Sequence, residues 1–478
     1  MKLWPIIVVV FQISGWLIAL AMVPVLARRC SVAKAWGWLA VMFAAPWVGL
    51  GLYLLFGENP LGRRRSVLYR EMLDKSKRDD WFVVLRERYP SVALGEEWAQ
   101  IENLAESVGA LPAVGDNEAR FIIDPEIMTS RLVEDIDAAQ HHVHMVFYIF
   151  LDDKTGRRVG EALARAVERG VRCRVLADAI GSRTMFKTLG RWMQERGIEL
   201  LPALSFNPLR KRLARIDLRN HRKILVADGK VGYLGSWNVA DPDFGPKRVP
   251  EYHDMMLRVR GPAVHQLQLL FLEDWNSETR EFPADEDLFP PAQGEGGAIL
   301  QALPSGPLYP SMPFPDLPIA AINEARRRVV ITTPYFAPDE ALLLALRLAV
   351  RRGVEVDIIV PFRSDSLFID AAARAYCRQL LDEHVNLYSY RLGFLHAKTL
   401  TVDDNFALMG TANYDIRSFK LDVEANFLIY SKNDVEVLRT LQEGYMKDSE
   451  RWDRETLDSR PFWQRQFDYC AKLLSPIL

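Results

Sequence analysis

Asn220–Asn238 reads NHRKILVADGKVGYLGSWN, and its polar skeleton returns at His396–Asn413 as HAKTLTVDDNFALMGTAN. Both stretches follow H-x-K-x4-D-x6-G-[ST]-x-N, with the second histidine 396 − 221 = 175 residues after the first. A lone H-x-K carries no information; five spaced polar identities, repeated inside dissimilar aliphatic sequence, indicate an internal duplication. Histidine and lysine at i and i+2 within Ile/Leu/Val/Thr-rich runs suit a β-strand, where alternate side chains share a face. Imidazole is a nucleophile or general acid/base near neutral pH, and ammonium is a compact charge suited to a phosphate oxygen. The neutral donors Asn238 and Asn413, with the Ser236 and Thr411 hydroxyls, are expected at the same anion. Two such half-sites facing each other would surround one phosphodiester.

Working outward, the flanks repeat as well. DPEIMTSRLVEDIDAAQ reads as a helix and HVHMVFYIF as a strand; then come the amphipathic helix GRRVGEALARAVERG, ending at Gly170, and the strand VRCRVLAD. The second half gives IAAINEARRR, VVITTPYF, a helix through ALLLALRLAVRRG, and VEVDIIVPF. ARAVERGVRCRVL and RLAVRRGVEVDII correspond at 353 − 170 = 183 residues. Strand–helix–strand alternation predicts α/β layers. His141, His142 and His144 suggest a metal cluster only until ligand spacing is considered, since no cysteine or acid stands at a suitable interval; a strand edge with one histidine turned inward is the expectation.

The N-terminal stretch differs from all that follows. Leu3–Ala27 and Ala35–Gly57 carry no charge, and each is long enough to cross a hydrocarbon core of about 30 Å as a helix. Two transmembrane helices are predicted. Arg28, Arg29 and Lys34 lie between them, whereas Lys2, Arg63, Arg64, Arg65 and Arg70 fall outside, a modest bias toward a hairpin with both ends and the globular body in the cytoplasm. A cleaved signal peptide is the weaker reading, because the first apolar run is too long and a second follows at once.

The duplicated motif resembles the HKD signature of the phospholipase D superfamily, and the apolar segments followed by LLFGENPLGRRR resemble the N-terminus of bacterial cardiolipin synthases. FYIFLDDKTG, YHDMMLRVRGPAV, TTPYFAPD and GTANYDIRS are similar to segments of that family, which the chain resembles from about Ile122 to Tyr430. The resemblance implies two phospholipase D-like α/β repeats packed as a pseudo-dimer behind a two-helix transmembrane hairpin: residues 1–62 the hairpin, 63–115 a polar connector, 116–276 the first repeat, 277–318 a linker, and 319–478 the second repeat with a C-terminal tail. It implies His221, Lys223, Asp228, His396, Lys398 and Asp403 as the catalytic set, one histidine attacking phosphorus and the other moving protons, with no metal and no cofactor. His221 is taken as the nucleophile and His396 as the acid/base, although the symmetry permits the swap. Asp254 and Glu424 occupy the positions where the superfamily places the carboxylates that hold the histidines. Read from the residues alone, Asp228 and Asp403, in an Asp-Gly and an Asp-Asp turn, fit a structural role better, capping the turn after each strand. The sequence departs from the family at Leu308 and Tyr309, where an acid is common, and at Ser236, where glycine is frequent.

Transfer of a phosphatidyl group between two phosphatidylglycerols, giving cardiolipin and glycerol at a bacterial inner membrane, is the activity so implied. Hydrolytic phospholipase D, a nuclease, a phosphatidyltransferase with another donor or acceptor, and a non-enzymatic scaffold are the alternatives. A net charge of −2 argues against wholesale nucleic-acid binding, and the basic run Leu209–Lys223 beside apolar segments favours anionic lipid. Four scattered cysteines indicate a reducing compartment for the globular part. The tail, DVEVLRTLQEGYMKDSERW followed by PFWQRQF and LLSPIL, reads as a helix and an aromatic end that either packs on the second half or touches the membrane interface.

Overall fold

The computed structural model describes residues 3–30, 32–57, 88–89, 92–109, 111–205, 218–281, 283, 287–292, 294–307, 309 and 313–475. Most of the polar connector before Arg88, and the basic run as far as Asp217, lie outside the described residues. The chain divides into two units, one holding the N-terminal helices and one holding the globular body.

In the first unit, α1 (Leu3–Arg29) is, among the described residues, the helix long and apolar enough to cross a bilayer. The second apolar run is not one helix. It is split at Ala45 into α2 (Val32–Ala44) and α3 (Pro46–Phe56). A residue preceding proline is disfavoured in helical geometry, and Ala45 takes φ −147, ψ 79. The chain then doubles back: Trp38 and Tyr53 meet edge to face at 5.4 Å, although fifteen helical residues would span about 22 Å. Gly49 makes this approach possible, because a Cβ there would lie 2.9 Å from the Met42 Cα. The expected transmembrane hairpin is therefore one long apolar helix followed by two short ones folded on each other.

The body is built on one sheet whose two halves share a plan. In chain order the strands are β1 (Val114–Ile122), β2 (His142–Phe147), β3 (Arg172–Asp178), β4 (Glu199–Ala203), β5 (Lys223–Ala227), β6 (Val231–Gly235) and β7 (Met256–Arg260), then β8 (Ala298–Ser305), β9 (Arg328–Thr332), β10 (Glu355–Pro361), β11 (Asn386–Tyr390), β12 (Thr399–Val402), β13 (Phe406–Gly410) and β14 (Glu424–Ile429). The spatial order is β11-β10-β9-β12-β13-β14-β8 against β1-β7-β6-β5-β2-β3-β4. Each half thus repeats the other with seven added to every strand number. The halves join where β1 pairs with β8 through Val114↔Leu300 and Asn117↔Ala298. The segment read as a linker therefore contributes β8, a strand at the centre of the sheet, and the first half begins at Val114.

Helices cover the sheet in the same repeated fashion. In the first half α4 (Pro125–Ala138), α5 (Lys154–Glu168) and α6 (Leu189–Glu195) pack on one face, and α7 (Ala263–Thr279) on the other. In the second half α8 (Pro313–Glu324), α9 (Glu340–Arg351) and α10 (Leu367–Leu381) answer the first three, and α11 (Lys432–Lys447) answers α7. The inner faces merge into one core, where Ile224, Val226 and Leu270 of the first half meet Val330, Ala407 and Phe427 of the second. The matching glycines Gly170 and Gly353 end α5 and α9 at φ +88 and +86, a left-handed conformation that costs other residues dearly. The tail helix stops at Lys447; Ser449–Trp452 becomes an edge strand on β11 instead of continuing it.

β2 is an interior strand, so His142 and His144 are both turned inward and only His141 is exposed. Their rings stack at 4.6 Å, and Gln268 of α7 lies 3.3 Å from His142 Nε2 and 2.8 Å from His144 Nδ1. Among the described residues no group of side chains has the arrangement to hold a metal. Burial pushes His142 down to about 4 and His144 well below the usual range. Both are neutral when folded and free to protonate when unfolded, so their stabilising contribution is complete above about pH 6.5 and is lost as pH falls toward 4. The expected loss for His142 alone is about 3 kcal/mol at pH 4, checked as a falling Tm of the detergent-solubilised protein between pH 7 and 4.5 that His142→Gln blunts.

Candidate active site

The two H-x-K segments enter the site just before β5 and β12, so each lysine occupies or adjoins the first strand position and its histidine projects from the loop ahead. Main-chain bonds then tie each loop to the other half. His221 N–H donates to Val423 O at 2.8 Å, and His396 N–H donates to His253 O at 2.9 Å. The residues following those acceptors are Glu424 and Asp254. Each histidine is thereby laid against a carboxylate of the opposite half: His221 Nδ1 lies 3.0 Å from both Glu424 oxygens, and His396 Nδ1 lies 2.6 Å from Asp254 Oδ1. Sequence position nominated both carboxylates but not this exchange.

The geometry also sets the tautomers. His221 Nδ1 is 3.1 Å from Thr411 O, and a carbonyl only accepts, so Nδ1 carries the hydrogen and Nε2 keeps a lone pair. Asp254 already accepts from Ser236 Oγ at 2.6 Å and takes the Nδ1 hydrogen of His396 in the same way. The hydroxyls expected at phosphate are thus directed elsewhere. Ser236 donates to Asp254 and accepts from Met255 N–H at 2.9 Å, while Thr411 donates to Glu424 at 2.5 Å and accepts from Ala425 N–H at 2.9 Å. A hydroxyl has one hydrogen to give, and both are spent on holding carboxylates. Ser418, which sequence reasoning did not find, is a third such donor, 2.8 Å from Glu424.

Lys223 and Lys398 are fully buried, each donating back to its own histidine's carbonyl, at 2.7 and 2.5 Å. Burial lowers Lys223 to about 8 and Lys398 well below its usual range, against the pull of Glu424 and Asp254. Burial likewise depresses both histidines, His221 well below its usual range and His396 to about 4, with the neighbouring lysines acting in the same direction. Burial raises Glu424 to about 7, opposed by Lys223 and the Thr411 and Ser418 hydroxyls. At Asp254 burial acts upward too, but His396, Lys398 and Ser236 outweigh it and hold the carboxyl at about 2.

His221, His396, Asn238 and Asn413 line one cavity of about 470 Å³. Asn238 Oδ1 accepts from Ile149 N–H at 3.2 Å, which leaves its amide hydrogens for the cavity. Aromatic edges fix the histidine rings, Tyr148 against His221 at 4.9 Å and Tyr252 against His396 at 5.4 Å. Tyr148 was visible inside FYIFLDDKTG, but nothing in its spacing assigned it a role. Arg222, the residue between His221 and Lys223, is fully buried; it pairs with Asp274 at 3.0 Å, donates to Glu424 O at 3.2 Å and donates to the Tyr309 hydroxyl at 2.8 Å. Tyr309 passes its own hydrogen to Glu273 at 2.6 Å. The unusual tyrosine therefore supports the backbone of Glu424. Ala397 stands at the equivalent place in the second copy.

Asp228 and Asp403 are not at the histidines. Asp228 sits at the far end of β5, about 17 Å along the strand from Lys223, and accepts from the N–H groups of Gln140, His141 and His142 at 2.8, 2.8 and 2.9 Å. Asp403 does the same for Arg326, Arg327 and Arg328 at 3.0, 2.8 and 2.9 Å. Both have positive φ, +52 and +49. They stand outside the catalytic set, as turn residues that gather the start of the neighbouring strand, β2 for Asp228 and β9 for Asp403. Asp228→Ala is expected to lower stability by about 2–4 kcal/mol, because three charge-assisted bonds go, and to leave kcat of the folded fraction within about twofold; a denaturant titration beside an activity assay measures both.

Two histidines, held by opposed carboxylates in a cavity with buried lysines and asparagine amides, on a duplicated α/β sheet, define the phospholipase D-like class. The sequence profile described as "Cardiolipin synthase, PLD-like domain" matches residues 132–275 and 319–445. The chain is 35% identical over 471 residues to proteins named "Cardiolipin synthase A" from Yersinia pseudotuberculosis and Yersinia pestis, covering 97% of this chain and 96% of theirs. The chain belongs to the cardiolipin synthase family of phospholipase D-like proteins. Among solved structures, phosphatidylserine synthase of Haemophilus influenzae Rd KW20 superposes with a TM-score of 0.60 at 14% identity, over 79% of this chain and all of that one, which reflects a shared fold.

Proposed function

We propose that the protein is a membrane-anchored phosphatidyltransferase that moves a phosphatidyl group from one phosphatidylglycerol to another, releasing glycerol and forming cardiolipin. The observation that carries this reading is the pair of cross-held histidines in one cavity. His221 attacks phosphorus through Nε2, a phosphatidyl-histidine forms, and His396 delivers a proton to the departing glycerol oxygen. His396 then takes a proton from the acceptor's hydroxyl, which displaces His221. Two features support that division of roles. His396 faces the more firmly ionised carboxylate, so it accepts a proton more readily than His221. An entering phosphodiester adds negative charge beside the imidazoles and raises their proton affinity. Lys223, Lys398, Asn238 and Asn413 stabilise the charge developing on the phosphoryl oxygens.

Residues 1–62 act as the membrane anchor; 116–276, with β1 starting at Val114, and 319–478, with β8 supplied from 277–318, act as the two repeats. Because α2 and α3 fold back on each other, the chain returns to the side where Arg28, Arg29 and Lys34 lie. By the excess of basic residues that side is the cytoplasm, which is where the catalytic body is placed, at a bacterial inner membrane. Analysis of products from labelled phosphatidylglycerol in reconstituted vesicles tests the activity. Cardiolipin and glycerol in equal amounts are expected; phosphatidic acid without cardiolipin would show a hydrolase instead.

A further inference from the structure

A second cavity, of about 400 Å³, lies beside the catalytic one. The first turn of α10 separates them, with Ser366 and Ile369 facing the catalytic cavity and Leu367 and Asp370 facing the other. Five arginines line the second cavity, Arg248, Arg363, Arg374, Arg391 and Arg460, against one lining carboxylate, Asp370. The acids that pair with them are Asp370 for Arg248, Asp468 for Arg374 and Arg460, and Glu450 for Arg391. Five positive charges face three negative ones, and among the described residues no carboxylate lies within ion-pair distance of Arg363. The Arg391 guanidinium lies 3.5 Å over the ring of Phe362, and Arg363 lies 5.3 Å from the same ring. Like-charged neighbours bear on this cluster: besides burial, Arg363 lowers Arg391, and Arg374 and Arg378 lower Arg460.

An apolar rim adjoins this basic floor. The C-terminal helix of the body, α12 (Phe462–Leu473), packs on α10 through Ala371, Ala372 and Ala471. Phe462 and Trp463 face away, each 68% exposed, while Phe467 contacts Phe368 of α10 at 5.5 Å. Leu367, 65% exposed, continues the patch to the cavity wall. Exposed tryptophan and phenylalanine above guanidinium groups form an amphipathic surface, apolar toward acyl chains and cationic toward phosphate.

We propose that this cavity and its rim seat the globular body on the bilayer by binding the phosphate of an anionic phospholipid, with Trp463, Phe462 and Leu367 entering the headgroup layer. The occupant is lipid in the plane of the membrane, because charge complementarity selects a phosphate and the contiguous exposed aromatics have no use for a soluble anion. The inference rests on the reading of the protein as an enzyme of lipids, but not on transfer chemistry.

Hydrogen–deuterium exchange of the full-length protein in nanodiscs tests this without reference to turnover. In discs containing phosphatidylglycerol, exchange across 362–374 and 456–467 is expected to slow at least about fivefold relative to pure phosphatidylcholine discs. In the Arg363→Glu/Arg391→Gln variant that difference is expected to vanish while exchange in β5 and β12 is unchanged, which separates loss of binding from loss of folding. Equal slowing in both lipids, no slowing in either, or the same slowing from inorganic phosphate added to phosphatidylcholine discs would each overturn the proposal. The variant's apparent KM for phosphatidylglycerol as a surface fraction is expected to rise about tenfold with kcat preserved. If the protein proves to be a hydrolase, the exchange result stands.

Discussion

Replacing His396 by asparagine is expected to trap a phosphatidyl group on His221. The general acid matters in proportion to the leaving group's need for a proton. With phosphatidylglycerol the glycerol oxygen must be protonated, and the variant is expected to lose about 10³-fold or more in turnover. With a phosphatidyl-p-nitrophenol donor the leaving group departs as an anion, so the first step proceeds through the intact His221 Nε2. The second step still needs a base to take the acceptor's proton, so the intermediate accumulates. Labelled lipid should remain on the protein through an acid-labile, alkali-stable bond at His221. His221→Asn, lacking the nucleophile, is expected to fall by about 10⁴-fold or more with either donor and to retain no label. Label on His396 in the His221→Asn variant would reverse the assignment and leave the two-step chemistry in place.

The second large effect is expected from Glu424→Gln, at the residue holding His221 from the other half. Both Glu424 oxygens lie 3.0 Å from His221 Nδ1, and Thr411 and Ser418 donate to them. An amide of the same shape preserves packing but removes the negative charge that supports the imidazole as it becomes cationic in attack. It also offers N–H where the ring needs an acceptor. A loss of about 10²–10⁴-fold in kcat is expected, with little change in Tm. Rate and Tm measured on the same preparation distinguish this from unfolding, and a fall below tenfold would mean that the Thr411 carbonyl alone suffices to set the tautomer.

The duplicated polar skeleton made the architecture legible. It fixed where β5 and β12 begin, and the alternation around it gave α5, β3, α9 and β10 nearly residue for residue, because amphipathic periods and the glycines Gly170 and Gly353 are local signals. What escaped was non-local. Spacing along the chain shows that Asp254 follows His221 and that Glu424 follows His396, yet says nothing about which half each faces. Serine and threonine advertise hydrogen bonds but not their direction, so Ser236 and Thr411 were aimed at phosphate when a carboxylate stood nearer. β8 was hidden by the prolines and glycines around it, since a central strand owes its place to partners on both sides. The second apolar segment satisfied a length criterion that ignored Pro46 and Gly49, the two residues that turn it back.

The exchange of carboxylates has a consequence for how the molecule tolerates change. Neither half owns a complete working histidine: 221 is completed at 424, and 396 at 254, over separations of 203 and 142 residues. A half-chain, or one whose halves have docked out of register, therefore leaves its histidine without the carboxylate that holds it. A substitution at Glu424 is therefore felt at His221, in the other repeat, and one at Asp254 is felt at His396.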